Sequence, residues 1–264
     1  MSWPVLLASG WAIVAVAMLW AWDWQRRHRD AGVVDVCWSA AMGFLAIWCA
    51  LFAEGDPLRR LLVGLLGGLW AGRLAWHILT DRVLAKPEDG RYQRLRAHWG
   101  ERAQPMFLLF FQAQALAAIV FALPFLAAAS VAAPLPGAAA VLAVLVWAVA
   151  VGGESLADRQ LAAWRADPAN RGRTCRRGLW AWSRHPNYFF EWLGWFTWPL
   201  LAWGEAWSVA LALTGSVLML ATLLRGTGIP YTEMQALASR GEDYRRYQAE
   251  VSMFFPWPPK ERAP

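Results

Sequence analysis

Charge is scarce in this sequence of 264 residues. Asp, Glu, Lys and Arg make up 17% of it against 58% hydrophobic residues, where a soluble domain carries about 25% charged residues. That balance excludes an ordinary soluble enzyme. Cysteine is scarcer still: Cys37, Cys49 and Cys175 form neither a metal-binding spacing nor a disulfide framework, so their role is packing. No Walker loop, no G-x-G-x-x-G, no internal repeat and no low-complexity linker occurs, and a dinucleotide, if bound, is not held by a Rossmann domain. The first apolar segment lacks a charged n-region and a small-residue cleavage site, which makes it a retained helix.

What the sequence has is apolar length. Windows of the size that crosses a bilayer recur at roughly 2–22, 33–54, 58–80, 105–130, 136–157, 187–204 and 206–225. They predict an all-α polytopic integral membrane protein, a bundle of seven transmembrane helices. Residues 23–32, 81–104, 158–186 and the tail from 226 collect nearly all the Lys and Arg, leaving Arg59 and Arg60 in an outer loop. The positive-inside rule then places the N-terminus outside and the C-terminus in the cytoplasm. The formal charge of +6 is explained by this asymmetry, without nucleic acid. The expected setting is the inner membrane, with the first four helices (1–130) on the substrate side and the last three with the tail (131–264) forming the cofactor part.

The organising stretch is RTCRRGLWAWSRHPNYFFEW, residues 173–192. Pro186 suits the first turn of a helix, and a basic loop ahead of it makes that helix start a natural anion site, with Ser183, Arg184 and His185 at its mouth. Clustered Arg beside an apolar segment also reads as a plain cytoplasmic anchor. Asn187 and Glu191, four apart, share a helix face, and Glu191 lies inside an apolar helix where an ionisable group marks function. Tyr188 lies between them.

Other polar residues interrupt the apolar runs. Asp35 opens the second span, either as a carboxylate favoured by the helix dipole or as a buried acid able to donate a proton. In the third span Trp70, Arg73, His77, Thr80 and Asp81 recur at three and four, a seam that should face the bundle, although Arg73 can also snorkel to the inner surface. Glu154, Asp158 and Arg165 lie along one face at the inner end of the fifth span. They suit either a salt-bridged stalk or carboxylates that accept bonds from a nucleotide's hydroxyls and amide.

With these residues assembled, the sequence resembles the steroid 5α-reductase-like family of membrane reductases, in its bacterial and largely uncharacterised branch. The resemblance runs through VVDVCW, RLAWH, EDGRYQRLR, ESLADRQLAAWR, GLWAWSRHPNYFFEWLGW and YRRYQAEVSMFFPWPP. It implies a seven-helix bundle with NADPH in a cavity open to the cytosol and a lipophilic, unsaturated substrate entering from the bilayer. Carried over by motif, the cofactor residues are Arg73, Asp81, Arg82, Asp158, Arg165, Asn187, Tyr188, Glu191 and Arg225. Asp35 stands near the family's substrate-binding glutamate, and Trp70 near its tyrosine. Trp donates through its indole N–H but is no general acid, which leaves carbonyl polarisation mainly to Asp35. The RHPNY element also resembles isoprenylcysteine-type methyltransferases that use S-adenosylmethionine. Those carry paired glutamates after the last long helix, where this sequence has the single Glu233. A non-enzymatic lipid-binding protein is the third expectation.

Overall fold

The computed structural model describes residues 1–84, 87–226 and 228–260, and every regular element among them is helical. In chain order these are α1 (Trp3–His28), α2 (Val33–Phe52), α3 (Pro57–Ile78), α4 (Gly90–Trp99), α5 (Ala103–Ala129), α6 (Gly137–Ala166), α7 (Pro186–Gly194), α8 (Thr197–Leu201), α9 (Ala206–Arg225), α10 (Ile229–Arg240) and α11 (Glu242–Glu250). Six helical stretches among the described residues are long and apolar enough to cross a membrane. Their apolar parts are α1, α2, α3, α5, α6 and α9, which makes this a polytopic helical protein.

The span expected at 187–204 is not one helix. It breaks into α7 and α8, and at the break the Trp195 and Phe196 N–H groups bond three residues back, to Trp192 and Leu193, at 3.1 Å each. Pro199 is the reason. A continuous helix would set its ring against the Trp195 carbonyl and leave that carbonyl without a donor, whereas in the first turn of α8 its missing N–H costs nothing.

The chain divides into two compact units, Met1–Ala140 with Trp198–Ala212, and Val141–Thr197 with Leu213–Pro264. In the first, α2 and α3 run antiparallel at close range because small residues meet along the seam. A Cβ placed on Gly67 would lie 2.5 Å from that of Ala46, one on Gly64 2.9 Å from Ala50, and one on Gly43 3.0 Å from Ala71. Close backbone approach of this kind is how membrane helices gain van der Waals contact where hydrophobicity offers no preference. Hydrogen bonds also cross other joints of this unit: Trp22 Nε1 donates to the Gln104 carbonyl at 3.0 Å and Trp48 Nε1 to that of Leu6 at 3.2 Å.

Arg59, one of the two cations on the expected outer side, is fully buried. Its guanidinium donates to the carbonyls of Ala133 (3.0 Å), Trp203 (2.7 Å) and Leu201. It therefore ties α3 to the turn after α5 and to the end of α8, and its burial is compensated by backbone dipoles.

In the second unit α6 and α7 also pack antiparallel. A Cβ on Gly153 would sit 2.4 Å from the Phe190 ring, and one on Gly194 would touch Ala150 at 3.4 Å. Trp192 Nε1 reaches the Ser216 carbonyl of α9 at 3.1 Å. Beyond α9, Gly241 at φ +51° turns α10 into α11, a left-handed position where glycine carries no Cβ penalty. Tyr244 and Tyr247 of α11 then bury themselves with Ala236 and Val251.

Candidate functional site

In the first unit Asp35 is a committed acceptor. Arg91 Nη2 reaches its Oδ2 and the Tyr92 hydroxyl its Oδ1, both at 2.7 Å. Asp89 caps α4 through the Arg91 N–H at 2.9 Å and also takes the Arg91 Nε at 3.2 Å, so α4 delivers a cation and a buried phenol to the start of α2. Arg91 and Tyr92 were not singled out by sequence reasoning, although EDGRY, with Asp before Gly at a helix start, is a capping signal. To act as an acid toward a carbonyl, Asp35 would first have to exchange one of these donors.

The pairing of Asp35 with Trp70 is corrected by the helix register. Since 43 faces 71, 46 faces 67 and 50 faces 64, continuing the antiparallel register sets residue 35 opposite 79, while Trp70 falls opposite 44. At 1.5 Å per residue the two are about 13 Å apart along the bundle, too far to grip one carbonyl oxygen. The rest of the third-span seam also changes. Arg73 and His77 stay on α3, but Asp81 and Arg82 fall in a π-turn, Leu79–Val83, closed by the Leu84 N–H on the Leu79 carbonyl at 2.9 Å. A π-turn holds one more residue than an α-turn, so the α-helical face predicted through residue 81 is interrupted after His77.

In the second unit the structure does bring predicted residues together. Asn187 Nδ2 donates to Asp158 Oδ1 at 3.3 Å, and Glu191 Oε1 accepts from Trp195 Nε1 at 3.1 Å. The α6–α7 register, with 150 facing 194 and 153 facing 190, sets buried Glu154 level with Glu191. Glu154, Asp158, Asn187 and Glu191 thus form one polar seam between two helices. Toward the end of α6 and in the loop after it, Arg165, Arg171 and Arg173 are exposed and make no ion pair among the described residues. Arg225 ends α9, also exposed.

The three residues ahead of Pro186 have a different place. Arg184 turns inward, donating Nε to Glu233 Oε1 at 2.7 Å and Nη1 to the Gln248 and Val251 carbonyls at 2.9 Å each. Ser183 Oγ donates to the Phe254 carbonyl at 2.8 Å and accepts the His185 N–H at 3.1 Å. His185 is buried, with Nε2 3.2 Å from Glu233 Oε1. Tyr188 stacks on His185, and its hydroxyl lies 3.2 Å from Thr232 Oγ1. Ser183, Arg184 and His185 therefore brace the start of α7 against α10, α11 and the tail, in place of the anion-facing role expected of them.

Glu233 is the centre of that brace, and sequence reasoning missed it as a site residue. Besides Arg184 and His185 it accepts from the Tyr244 hydroxyl at 3.2 Å and from Gln248 Nε2 at 2.8 Å. Burial alone would raise its carboxyl, but the hydrogen bonds from His185, Arg184 and Gln248 outweigh that and hold it down at about 2. The His185 imidazole is pushed below its ordinary value by burial, against the opposing pull of Glu233.

A family model described as "Protein of unknown function (DUF1295)" matches residues 21–251, from within α1 to the residue after α11. The chain belongs to this family. DUF1295 lies within the steroid 5α-reductase-like superfamily. This DUF1295 chain is also 30% identical over 96 residues to the methanethiol S-methyltransferase of Mycobacterium tuberculosis (strain ATCC 25618 / H37Rv), a match covering 36% of each chain. It thus spans about a third of the length of the curated relative it matches. No solved structure matches it.

Proposed function

We propose that this chain is an NADPH-dependent membrane reductase of a carbon–carbon double bond conjugated to a carbonyl in a lipophilic substrate, with its cofactor on the cytoplasmic face. The observation that carries the reading is the pairing of two unlike features at the inner end of α6. One is the seam of Glu154, Asp158, Asn187 and Glu191, and the other is the exposed set Arg165, Arg171 and Arg173, which makes no ion pair among the described residues. Carboxylates and an amide accept from ribose hydroxyls and a carboxamide, whereas arginine forks fit phosphate oxygens. NADPH has both kinds of group; S-adenosylmethionine has no phosphate.

In this reading Asn187 and Asp158 orient the nucleoside, Arg165 and Arg173 take phosphate charge, and Glu191 holds the amide end. When bound, NADPH would supply the hydride for the enone β-carbon, with the α-carbon's proton coming from solvent. The chain's own contribution is a fixed α7, oriented from below by the Arg184–Glu233 brace, and an apolar surround that keeps water from the reacting face.

A methyltransferase is the second reading, favoured by the methanethiol S-methyltransferase relative. Two assays on purified protein separate them: substrate-dependent loss of NADPH absorbance with a panel of enone lipids, and transfer of a labelled methyl group from S-adenosylmethionine to methanethiol. Enone-dependent NADPH consumption supports the reductase reading. Methyl transfer without it replaces that reading.

A further inference from the structure

Six indole N–H groups among the described residues have a named acceptor. Trp22 and Trp48 reach carbonyls in the first unit, and in the second Trp164, Trp180 and Trp192 do the same while Trp195 bonds Glu191. Trp38 departs from this. Its Nε1 is buried and has no hydrogen-bond partner among the described residues, although its ring is not wholly enclosed. A buried donor left unmade is costly, and in a folded chain it calls for an explanation.

The surroundings narrow the explanation. Trp38 follows Asp35 by one turn of α2, yet the Asp35 carboxylate is already held by Arg91 and Tyr92. The neighbouring Ser39 hydroxyl is turned back to the Asp35 carbonyl at 2.9 Å. The Phe121 ring stands edge-to-face with Trp38 at 5.6 Å, and an aromatic face is at most a weak acceptor. A water would need two or more polar partners, and these neighbours offer apolar surface or groups already bonded. An indole N–H donates and does not accept. It therefore selects an oxygen that accepts, carried on an apolar body.

We propose that Trp38 Nε1 is the donor that holds the carbonyl oxygen of a lipophilic ligand in the first unit, the place expected of Asp35 and Trp70. The ligand class rests on the reductase reading, and Trp38 acts on it as a positioning and specificity residue. It favours an apolar molecule with a carbonyl over the hydrocarbon of the same shape.

The test uses the full chain in nanodiscs with nitrogen-labelled indoles, and the probes are progesterone and pregnane, a hydrocarbon of the same skeleton. The Trp38 signal is assigned by its loss in Trp38→Phe, or in Trp38→Tyr should the first variant fold poorly. Progesterone should move the Trp38 N–H signal downfield and pregnane should not. Progesterone should also bind about three- to tenfold more tightly than pregnane, the range of one net hydrogen bond, and the variant should lose that preference. A Trp38 signal unmoved at high progesterone, absence of progesterone binding, or a variant that keeps the full preference would each overturn the proposal. NADPH binding is measured on the same sample. A chain that ignores NADPH yet shows the Trp38 response sinks the reductase reading and leaves the Trp38 site standing.

Discussion

Arg184 and Glu233, 49 positions apart in sequence, meet at 2.7 Å with only 10% and 14% of their side chains exposed. Through this contact the residue three before Asn187 is anchored to α10, while its second arm is anchored to the carbonyls that end α11. The first turn of α7 is therefore set by the C-terminal segment.

Removing Glu233 should be severe. Glu233→Ala leaves a nearly buried guanidinium without its counter-charge and frees His185, Tyr244 and Gln248, and breaking a buried pair of this kind costs about 3–5 kcal/mol. Thermal unfolding in detergent should show a large loss for Glu233→Ala and a smaller one for Glu233→Gln. A change within about 0.5 kcal/mol, the range of an ordinary surface substitution, would contradict the brace.

Stability should fall with acid in two stages. His185 has a folded pKa below its ordinary value, so the unfolded chain binds that proton first, and stability is lost as pH drops below about 6.5. The Glu233 carboxyl, held at about 2 from a usual 4.5, contributes stability that is full above 4.5 and lost as pH falls toward 2. Unfolding curves across pH should show the upper stage vanish in His185→Gln. An upper stage that persists in this variant would assign it to another group.

The α2–α3 seam should tolerate no added bulk. Gly67→Leu must push Ala46 away, because a Cβ alone would come within 2.5 Å of it, and overpacking of this kind costs about 1–3 kcal/mol. Gly72→Ala is the control, since a Cβ there meets nothing within 4 Å, and it should be neutral or stabilising by up to about 1 kcal/mol. Equal losses from both variants would refute the register.

That register also predicts independence. With Asp35 and Trp70 about 13 Å apart along the helices, the effects of Asp35→Asn and Trp70→Phe on ligand affinity should add within about 0.5 kcal/mol in a double-mutant cycle. Strong coupling would restore them to one site.

The helical class and six of the seven expected crossing segments were legible because apolar length reports burial in lipid directly. The polar groups that meet between α6 and α7, Asn187 with Asp158, stood out in the sequence as well, since a polar group inside an apolar helix is costly enough to be conspicuous. Pro199 carried the break between α7 and α8, but a Trp-rich apolar run masked it. The π-turn at 79–83 has no Pro or Gly to announce it. Glu233 looked like one more charge in a polar tail, because its four partners come from residues 184, 185, 244 and 248, and only tertiary packing gathers them. The roles of Arg184 and Ser183 were misread for the same reason: their sequence neighbours suggested an anion, whereas the fold supplies a carboxylate and carbonyls.

The most direct test of the cofactor assignment is thermal unfolding of the purified chain with NADPH or S-adenosylmethionine, repeated on Asn187→Ala and on an Arg165→Ala, Arg173→Ala double variant. A ligand that binds only the folded state raises stability with the logarithm of its concentration over its Kd. The account predicts that NADPH stabilises the wild-type chain, that Asn187→Ala loses most of the shift, and that the double variant has a smaller shift at low salt that weakens less than the wild-type shift as salt is raised. Stabilisation by S-adenosylmethionine alone, or an NADPH shift untouched by either variant, would contradict it.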